Sequence, residues 1–234
     1  MEKSLYLLLD IFSFLIPFLY SFERKHLYFI QYWKPYFTAI FIVGLCFVAW
    51  DVFFTIHGVW GFNSTYLIGV EFLHLPIEEW VFFLLIPYAS NFIHYALLYF
   101  FPKPKLSAKT SFYISLILFV SSACIAFTNT DKIYTLCSFG LFAVVMLLQL
   151  CFRFKTFQRY ILSFIIILLP FLLVNSWLTG SFTEAPVVYY NNAENLGLRV
   201  GTIPVEDFFY CFSMLYTSVL LFEYFKAKLH FRKA

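Results

Sequence analysis

Seven apolar stretches, at about residues 4–22, 35–56, 76–101, 107–127, 133–152, 160–180 and 204–225, leave this chain few ways to fold. Each approaches or exceeds the roughly 20 residues that a helix needs to cross the hydrocarbon of a bilayer. Of 234 residues, 62% are hydrophobic, 24% aromatic and 12% charged, where an ordinary soluble domain carries about 25% charged residues. A soluble fold of this length has no interior large enough for so much apolar side chain, so lipid is the expected solvent. The strands of a membrane barrel would alternate over ~10-residue segments, and no such alternation is present. Backbone groups in lipid must pair within their own segment. The expected fold class is therefore all-α, an integral membrane bundle of seven transmembrane helices.

The basic residues give an orientation. The loops after the first, third and fifth helices hold Arg24, Lys25 and Lys34, then Lys103, Lys105 and Lys109, then Arg153, Lys155 and Arg159; the tail holds Lys226, Lys228, Arg232 and Lys233. Of the 16 Lys and Arg residues, Lys3, Lys132 and Arg199 are left for the other face. Basic loops stay on the cytoplasmic side, so the expected topology is N-out and C-in. The net charge of +3 is then an orientation signal, and no nucleic-acid partner is expected. The first stretch does not read as a cleavable signal, because Glu2 offsets Lys3 ahead of it and no small-residue cleavage site follows. The five cysteines, 46, 124, 137, 151 and 211, are scattered through apolar segments without metal or redox spacing, and are read as packing residues.

A repeat is visible inside the bundle. Pro76-Ile77-Glu78-Glu79 and Pro204-Val205-Glu206-Asp207 open the third and seventh helices. The preceding helices also correspond: "AWDVFFTIHGVWGF" (49–62) matches "VNSWLTGSF" (174–182), with Asp51 opposite Asn175, Thr55 opposite Thr179 and, across a short gap, Gly58 opposite Gly180. The copies lie four helices apart and so share one membrane orientation. The expected organisation is two parallel three-helix repeats, residues 1–101 and 132–234, joined by a connector helix within 102–131. Repeated halves of membrane proteins commonly place a site at their interface.

The doubled acids have two readings. One is helix capping: Pro suits the first helical position, and carboxylates in the first turn meet the positive end of the helix dipole for about 0.3–1 kcal/mol. Against it, the residues before the prolines, Leu75 and Ile203, are not capping residues, the motif is doubled, and Asp51 brings a further acid to the same level. The other reading is a proton-handling cluster. Adjacent helical residues point about 100° apart, so one acid of each pair can face the bundle while its neighbour faces a flanking helix or the loop. Acids gathered in a low-dielectric cavity cannot all stay ionised, and a protonated carboxyl beside an ionised one is an acid–base pair. Ionisable residues inside a membrane are functional candidates. The candidate catalytic residues are Glu78, Glu79, Glu206, Asp207 and Asp51. Phe82, Phe83, Phe208 and Phe209, with Tyr210 and Phe212, follow the acids closely; their ring faces attract cations and suit a carbocation, while packing and interfacial belts are the stronger explanation. Glu194, Asn195 and Arg199 lie in the second loop. Asn91 and His94, beyond a kink expected at Pro87, are read as interhelical hydrogen-bonding residues, Glu71 and His74 as loop residues at a cavity mouth, and Glu223 as solvated.

The Pro-x-Glu-Glu-aromatic start (Pro76 to Trp80) and the Gly-x-x-Pro-x-Glu-Asp-aromatic start (Gly201 to Phe208) resemble the small integral-membrane lycopene cyclase domain, found as two subunits in some bacteria and archaea or fused into one chain. The resemblance covers nearly the whole chain, and the fused form matches the repeat. It implies that acyclic lycopene is cyclised to mono- or bicyclic products with β-ionone rings. The family's motif acids fall on Glu78, Glu79, Glu206 and Asp207, and its Trp-Asp on Trp50 and Asp51. The second copy departs from the pattern with Asn175, so the halves are unequal, and one shared site is the expectation. Trp50, Asn175, Arg199 and the four phenylalanines are the expected substrate-binding residues. An acid protonates the terminal double bond, the neighbouring double bond closes the ring, and a base removes a proton. No cofactor or metal is expected: the eight glycines form no G-x-G-x-x-G for a flavin-dependent cyclase, and no N-x-x-x-D-x-x-x-D motif of the membrane prenyltransferases is present. Rival readings are a hydratase acting on the same cation and a seven-helix transporter or proton channel using the acids as a relay. A retinal-binding protein needs a lysine within the last helix, which has none before Lys226. The expected partners are lycopene or a related acyclic carotenoid, membrane lipid and other carotenoid-pathway enzymes, and the expected location is a bacterial cytoplasmic membrane.

Overall fold

The computed structural model describes residues 2–231, with side chains as far as residue 228. Arg232 and Lys233 of the basic tail lie outside the described residues. Among the described residues, seven helical segments are long and apolar enough to cross a membrane, the first of them Glu2–Tyr20; the helices are α1 (Leu5–Tyr20), α2 (Trp33–Ile56), α3 (Ile77–Phe100), α4 (Ala108–Thr128), α5 (Ile133–Phe152), α6 (Phe157–Leu178) and α7 (Glu206–Phe231). The chain is a multi-pass membrane protein. Its outer helix faces are hydrocarbon: Ile16 is 73% exposed, Phe127 81% and Leu169 65%, which water would not tolerate and lipid does. Cys46, Cys124 and Cys151 also lie on exposed faces and Cys211 is buried, so packing accounts for Cys211 better than for those three.

The helix ends differ from the hydropathy reading where short strands intervene. Pro76 lies in a strand rather than in the first helical turn. Strand β2 (Glu71–Phe72) pairs antiparallel with β3 (Leu75–Pro76), and β5 (Arg199–Val200) with β6 (Ile203–Pro204). Each hairpin leads straight into an acidic helix start. It also meets a helix-start requirement: the Ile77 N–H donates to the Val70 carbonyl at 2.9 Å and the Val205 N–H to the Leu198 carbonyl at 3.0 Å. The two-residue turn of the first hairpin places Leu73 and His74 at φ 51° and 64°. Such turns need positive φ and favour Gly or Asn; the second hairpin meets the demand with Gly201 at φ 63°. A third strand pair joins β1 (Trp60–Phe62) and β4 (Val188–Tyr190).

Two compact units can be distinguished. Among the described residues, the first comprises 2–57, 62–102 and 214–231, the second 58–61 and 103–213. In the first unit α1 and α2 both pack on α3. Pro87 has no N–H to return to the Phe83 carbonyl one turn earlier, and α2 closes on that carbonyl with Gly44, where a Cβ would stand 3.3 Å from the Phe83 oxygen. Tyr36 donates to the Pro87 and Tyr88 carbonyls at 3.2 Å each. Asn91 donates to the Leu215 carbonyl at 3.2 Å, the interhelical bond its position called for. Glu223 accepts from the Tyr95 hydroxyl at 2.8 Å and lies 3.8 Å from Lys226, so it is partnered and half-buried rather than simply solvated. In the second unit α4 packs along α5 and touches α6, and Phe212 of α7 sits among Phe142, Tyr160 and Phe164.

Gly44 and Asp51 are seven residues apart and share a face of α2, so the close approach at Gly44 carries Asp51 toward α3. Gly44→Val is expected to lower stability in detergent by about 1–3 kcal/mol, the usual penalty for overpacking, as measured by unfolding of the purified protein.

Candidate active site

The first-repeat acids occupy the first turn of α3, and both are buried, Glu78 at 0% and Glu79 at 8% exposure. They point apart, as neighbours on a helix must. Glu78 turns to the preceding loop, where its Oε1 accepts from the Ile68 backbone N–H at 2.7 Å. Glu79 turns into the helices. Its Oε2 accepts a short hydrogen bond from the Tyr6 hydroxyl of α1, and the carboxyl shares a further hydrogen bond with Asp51 of α2. Neither acid caps its own helix; the N-cap is Pro76, with no side-chain cap bond. Both carboxyls lie in the first helical turn, but their hydrogen bonds go elsewhere: the first ties down a loop and the second joins three helices.

The second repeat repeats this plan. Glu206 and Asp207 open α7 and are buried. Glu206 Oε1 accepts from the Leu196 backbone N–H at 2.8 Å, ten residues upstream as in the first copy, and from the Thr135 hydroxyl at 2.7 Å. Asp207 Oδ1 accepts a short hydrogen bond from the Tyr134 hydroxyl of α5. The tyrosine-to-acid separation is 73 residues in both copies. The copies part at the second oxygen of the inward acid: Glu79 meets the carboxyl of Asp51, whereas Asp207 Oδ2 accepts from the phenol of Tyr190 at 2.9 Å. Asn175 is half-buried and donates to the Phe171 carbonyl of its own helix at 3.1 Å; the place expected for it beside the second acid pair is held by Tyr190.

The other expected site residues divide. Phe82 packs edge-on against Tyr6, with ring centres 6.2 Å apart, and Phe83 is buried beneath it. Phe209 lies on Phe139 and Phe142 of α5, and Phe208 on Phe171 of α6. These contacts are packing between helices next to the acids. Trp50 stacks on Phe47 and meets Phe54 edge-on along α2. Arg199 is exposed in β5; it donates to the Thr202 carbonyl at 2.6 Å and to Asn192 Oδ1 at 2.8 Å, and lies 5.7 Å over the ring of Tyr190. It braces the tyrosine that holds Asp207.

Sequence reasoning passes over Tyr6, Tyr134, Thr135 and Tyr190, which hold the acids. It places Glu194 and Asn195 only as loop residues. The structure gives them work at a helix start: the Glu194 carbonyl accepts from the Tyr134 N–H at 2.9 Å, its Oε2 accepts from the Ile133 N–H at 3.3 Å, and Asn195 Oδ1 accepts from the Gly197 N–H at 2.7 Å. The loop thereby fixes the first turn of α5, from which Tyr134 and Thr135 reach the acids. Trp60, with ring centres 5.1 Å from Tyr134 and 6.1 Å from Tyr190, closes the aromatic wall beside Asp207.

The family model for lycopene cyclase matches the chain twice, over residues 3–97 and 131–225. The chain belongs to the lycopene cyclase family, in a two-repeat arrangement, and this assigns it to carotenoid biosynthesis. No curated protein and no solved structure matches it. Each matched stretch contains one complete set of tyrosine, loop amide and acid pair.

The side chain of Glu194 serves helix α5 and not the acids themselves. Glu194→Ala is expected to cost about 0.5–2 kcal/mol of stability, the usual value of a helix-start side-chain bond, and to leave turnover per folded molecule near that of the unaltered protein. Parallel unfolding and turnover measurements check both halves of this expectation.

Proposed function

We propose that the chain cyclises the end groups of lycopene to β-ionone-type rings by adding and removing protons, without net redox change. The observation that carries this reading is the buried acid held by a phenol in each repeat, Glu79 by Tyr6 and Asp207 by Tyr134, on a chain of the lycopene cyclase family. The chemistry requires a proton placed on a carbon–carbon double bond in a dry site and another removed from the resulting cation. A hydrogen bond between two carboxyls needs one proton between them. With a single proton between them, the Glu79–Asp51 pair can take up another from the ring cation. In the second repeat the same position offers Asp207 two phenol donors, which hold it for a different balance of giving and taking. Phe82, Phe83, Phe208 and Phe209 lie close behind the acids, where ring faces stabilise a cation.

Expression in a lycopene-accumulating bacterial host, with chromatographic separation of the pigments, tests the reading. Cyclic carotenoids are expected. Unchanged lycopene, with the protein shown folded in the membrane, contradicts the proposal, and products carrying an added hydroxyl assign the cation to hydration instead. Glu79→Gln and Asp207→Asn keep shape and remove the exchangeable carboxyl proton. Each is expected to lower turnover per folded molecule by at least about 10²-fold, the lower range for general acid–base catalysis. Turnover by purified protein in lipid is expected without an added redox cofactor, and strict dependence on a reduced flavin would refute the proton-only route.

A further inference from the structure

Helix α1 buries two side chains, Tyr6 and Asp10. They are one turn apart and so share a face, the face by which α1 packs on α3. Tyr6 bonds Glu79. Asp10 is 0% exposed, has Glu79 and Glu78 as electrostatic neighbours, and meets no hydrogen-bond donor or acceptor at either oxygen among the described residues. Nothing in the sequence motifs points to it, and no part of the mechanism above uses it.

Each of the other acids of the two clusters is held through at least one oxygen, although Glu78 Oε2 and Glu206 Oε2 stay unpartnered. Glu78 and Glu206 are each held through one oxygen by a loop amide, Glu79 by Tyr6 and Asp51, and Asp207 by two phenols. A carbon–carbon double bond is a far weaker acceptor than a phenol oxygen or a carboxylate. A carboxyl that is to protonate one must keep its O–H turned away from any such competitor. Asp10 meets that condition at both oxygens. A polar group buried without a partner is costly to keep, which marks the position as one retained for use.

We propose that Asp10 is the catalytic acid of the first repeat, delivering its proton to the terminal double bond of the carotenoid; this rests on the cyclase reading above. The Asp10 O–H bond breaks, and the proton bonds to the CH carbon of the terminal double bond, leaving a tertiary cation. The neighbouring double bond attacks that cation and closes the ring. The new ring cation loses a proton to the Glu79–Asp51 pair, and Asp10 recovers a proton from Glu79, its electrostatic neighbour, before the next turnover. One proton is given and one recovered, and no electrons leave the substrate. In the second repeat the residue one turn beyond Tyr134 is Ser138, buried, with its hydroxyl also unpartnered. A serine hydroxyl is too weak an acid for this step, so the second repeat has no donor at the position that matches Asp10.

The test uses the full chain in the lycopene-accumulating host and after purification in lipid. Asp10→Asn and Asp10→Leu are expected to fold, the latter because an apolar residue replaces an unpartnered polar one, and to lose at least about 10²-fold of turnover per folded molecule. Both should still co-purify with uncyclised lycopene. Asp10→Glu, which keeps an acid, should recover a measurable part of the activity, and Ser138→Ala should cyclise at the unaltered rate. Normal turnover by Asp10→Asn or Asp10→Leu overturns the assignment while leaving the cyclase reading intact. Lycopene unchanged by the unaltered protein would instead refute the cyclase reading itself.

Discussion

A carboxyl among hydrocarbon side chains has to be given partners, because an ionised group taken from water without them costs several kcal/mol or more. Most of the architecture around Glu78, Glu79, Glu206 and Asp207 answers that demand. Each outward acid draws a loop amide onto itself from ten residues upstream. Each inward acid draws a tyrosine from the first helix of its repeat. The hairpins ahead of α3 and α7 supply the backbone acceptors that the helix starts need, and in doing so aim the acids. Loop, hairpin and helix packing in each repeat are consequences of two adjacent carboxyls that must be buried in different directions.

The same demand explains why the repeats are alike in plan and unequal in chemistry. The tyrosine, the loop amide and the acid pair recur at fixed separations. The third partner of the inward acid does not: it is a carboxyl in the first copy and a phenol in the second. One turn along from the tyrosine, the first copy has Asp10 and the second Ser138. Duplication preserved the scaffold that tolerates buried acids, and the positions free to vary are those that set how many protons each cluster holds.

Much of this was legible in the residues. Seven long apolar runs specify the helices, because hydrocarbon leaves the backbone no other partner. The two Pro-x-Glu-acid motifs identify the acids, and the 100° offset between neighbours anticipates that Glu78 and Glu79 face different surroundings. The hairpins are not legible: two-residue strands have no period, and Leu73-His74 is a turn made by residues that do not ordinarily make one. Tyr6 and Tyr134 are hidden among 17 tyrosines, and only their equal spacing from the two acid motifs could have singled them out. Tyr190 lies in a loop whose fold no pattern announces, so the partner of Asp207 could not be told from Asn175, which sits at the matching helical position and turns back to its own helix. Asp10 did carry a signal, as an acid in the apolar run "LYLLLDIFSFLIPFLY", and the intensity of the doubled motifs draws attention away from it.

The central claim is that a protein carboxyl places its own exchangeable proton on the carotenoid. It is tested most directly by a single turnover in D₂O, with the protein equilibrated in that solvent and the product analysed by mass spectrometry. The account requires one deuterium in the first ring formed, bonded to the ring carbon next to the dimethyl carbon, because the proton added comes from an exchanged carboxyl and the proton lost comes from the substrate. Cyclic product of unchanged mass would show that no protein or solvent proton enters the ring, and would contradict the account.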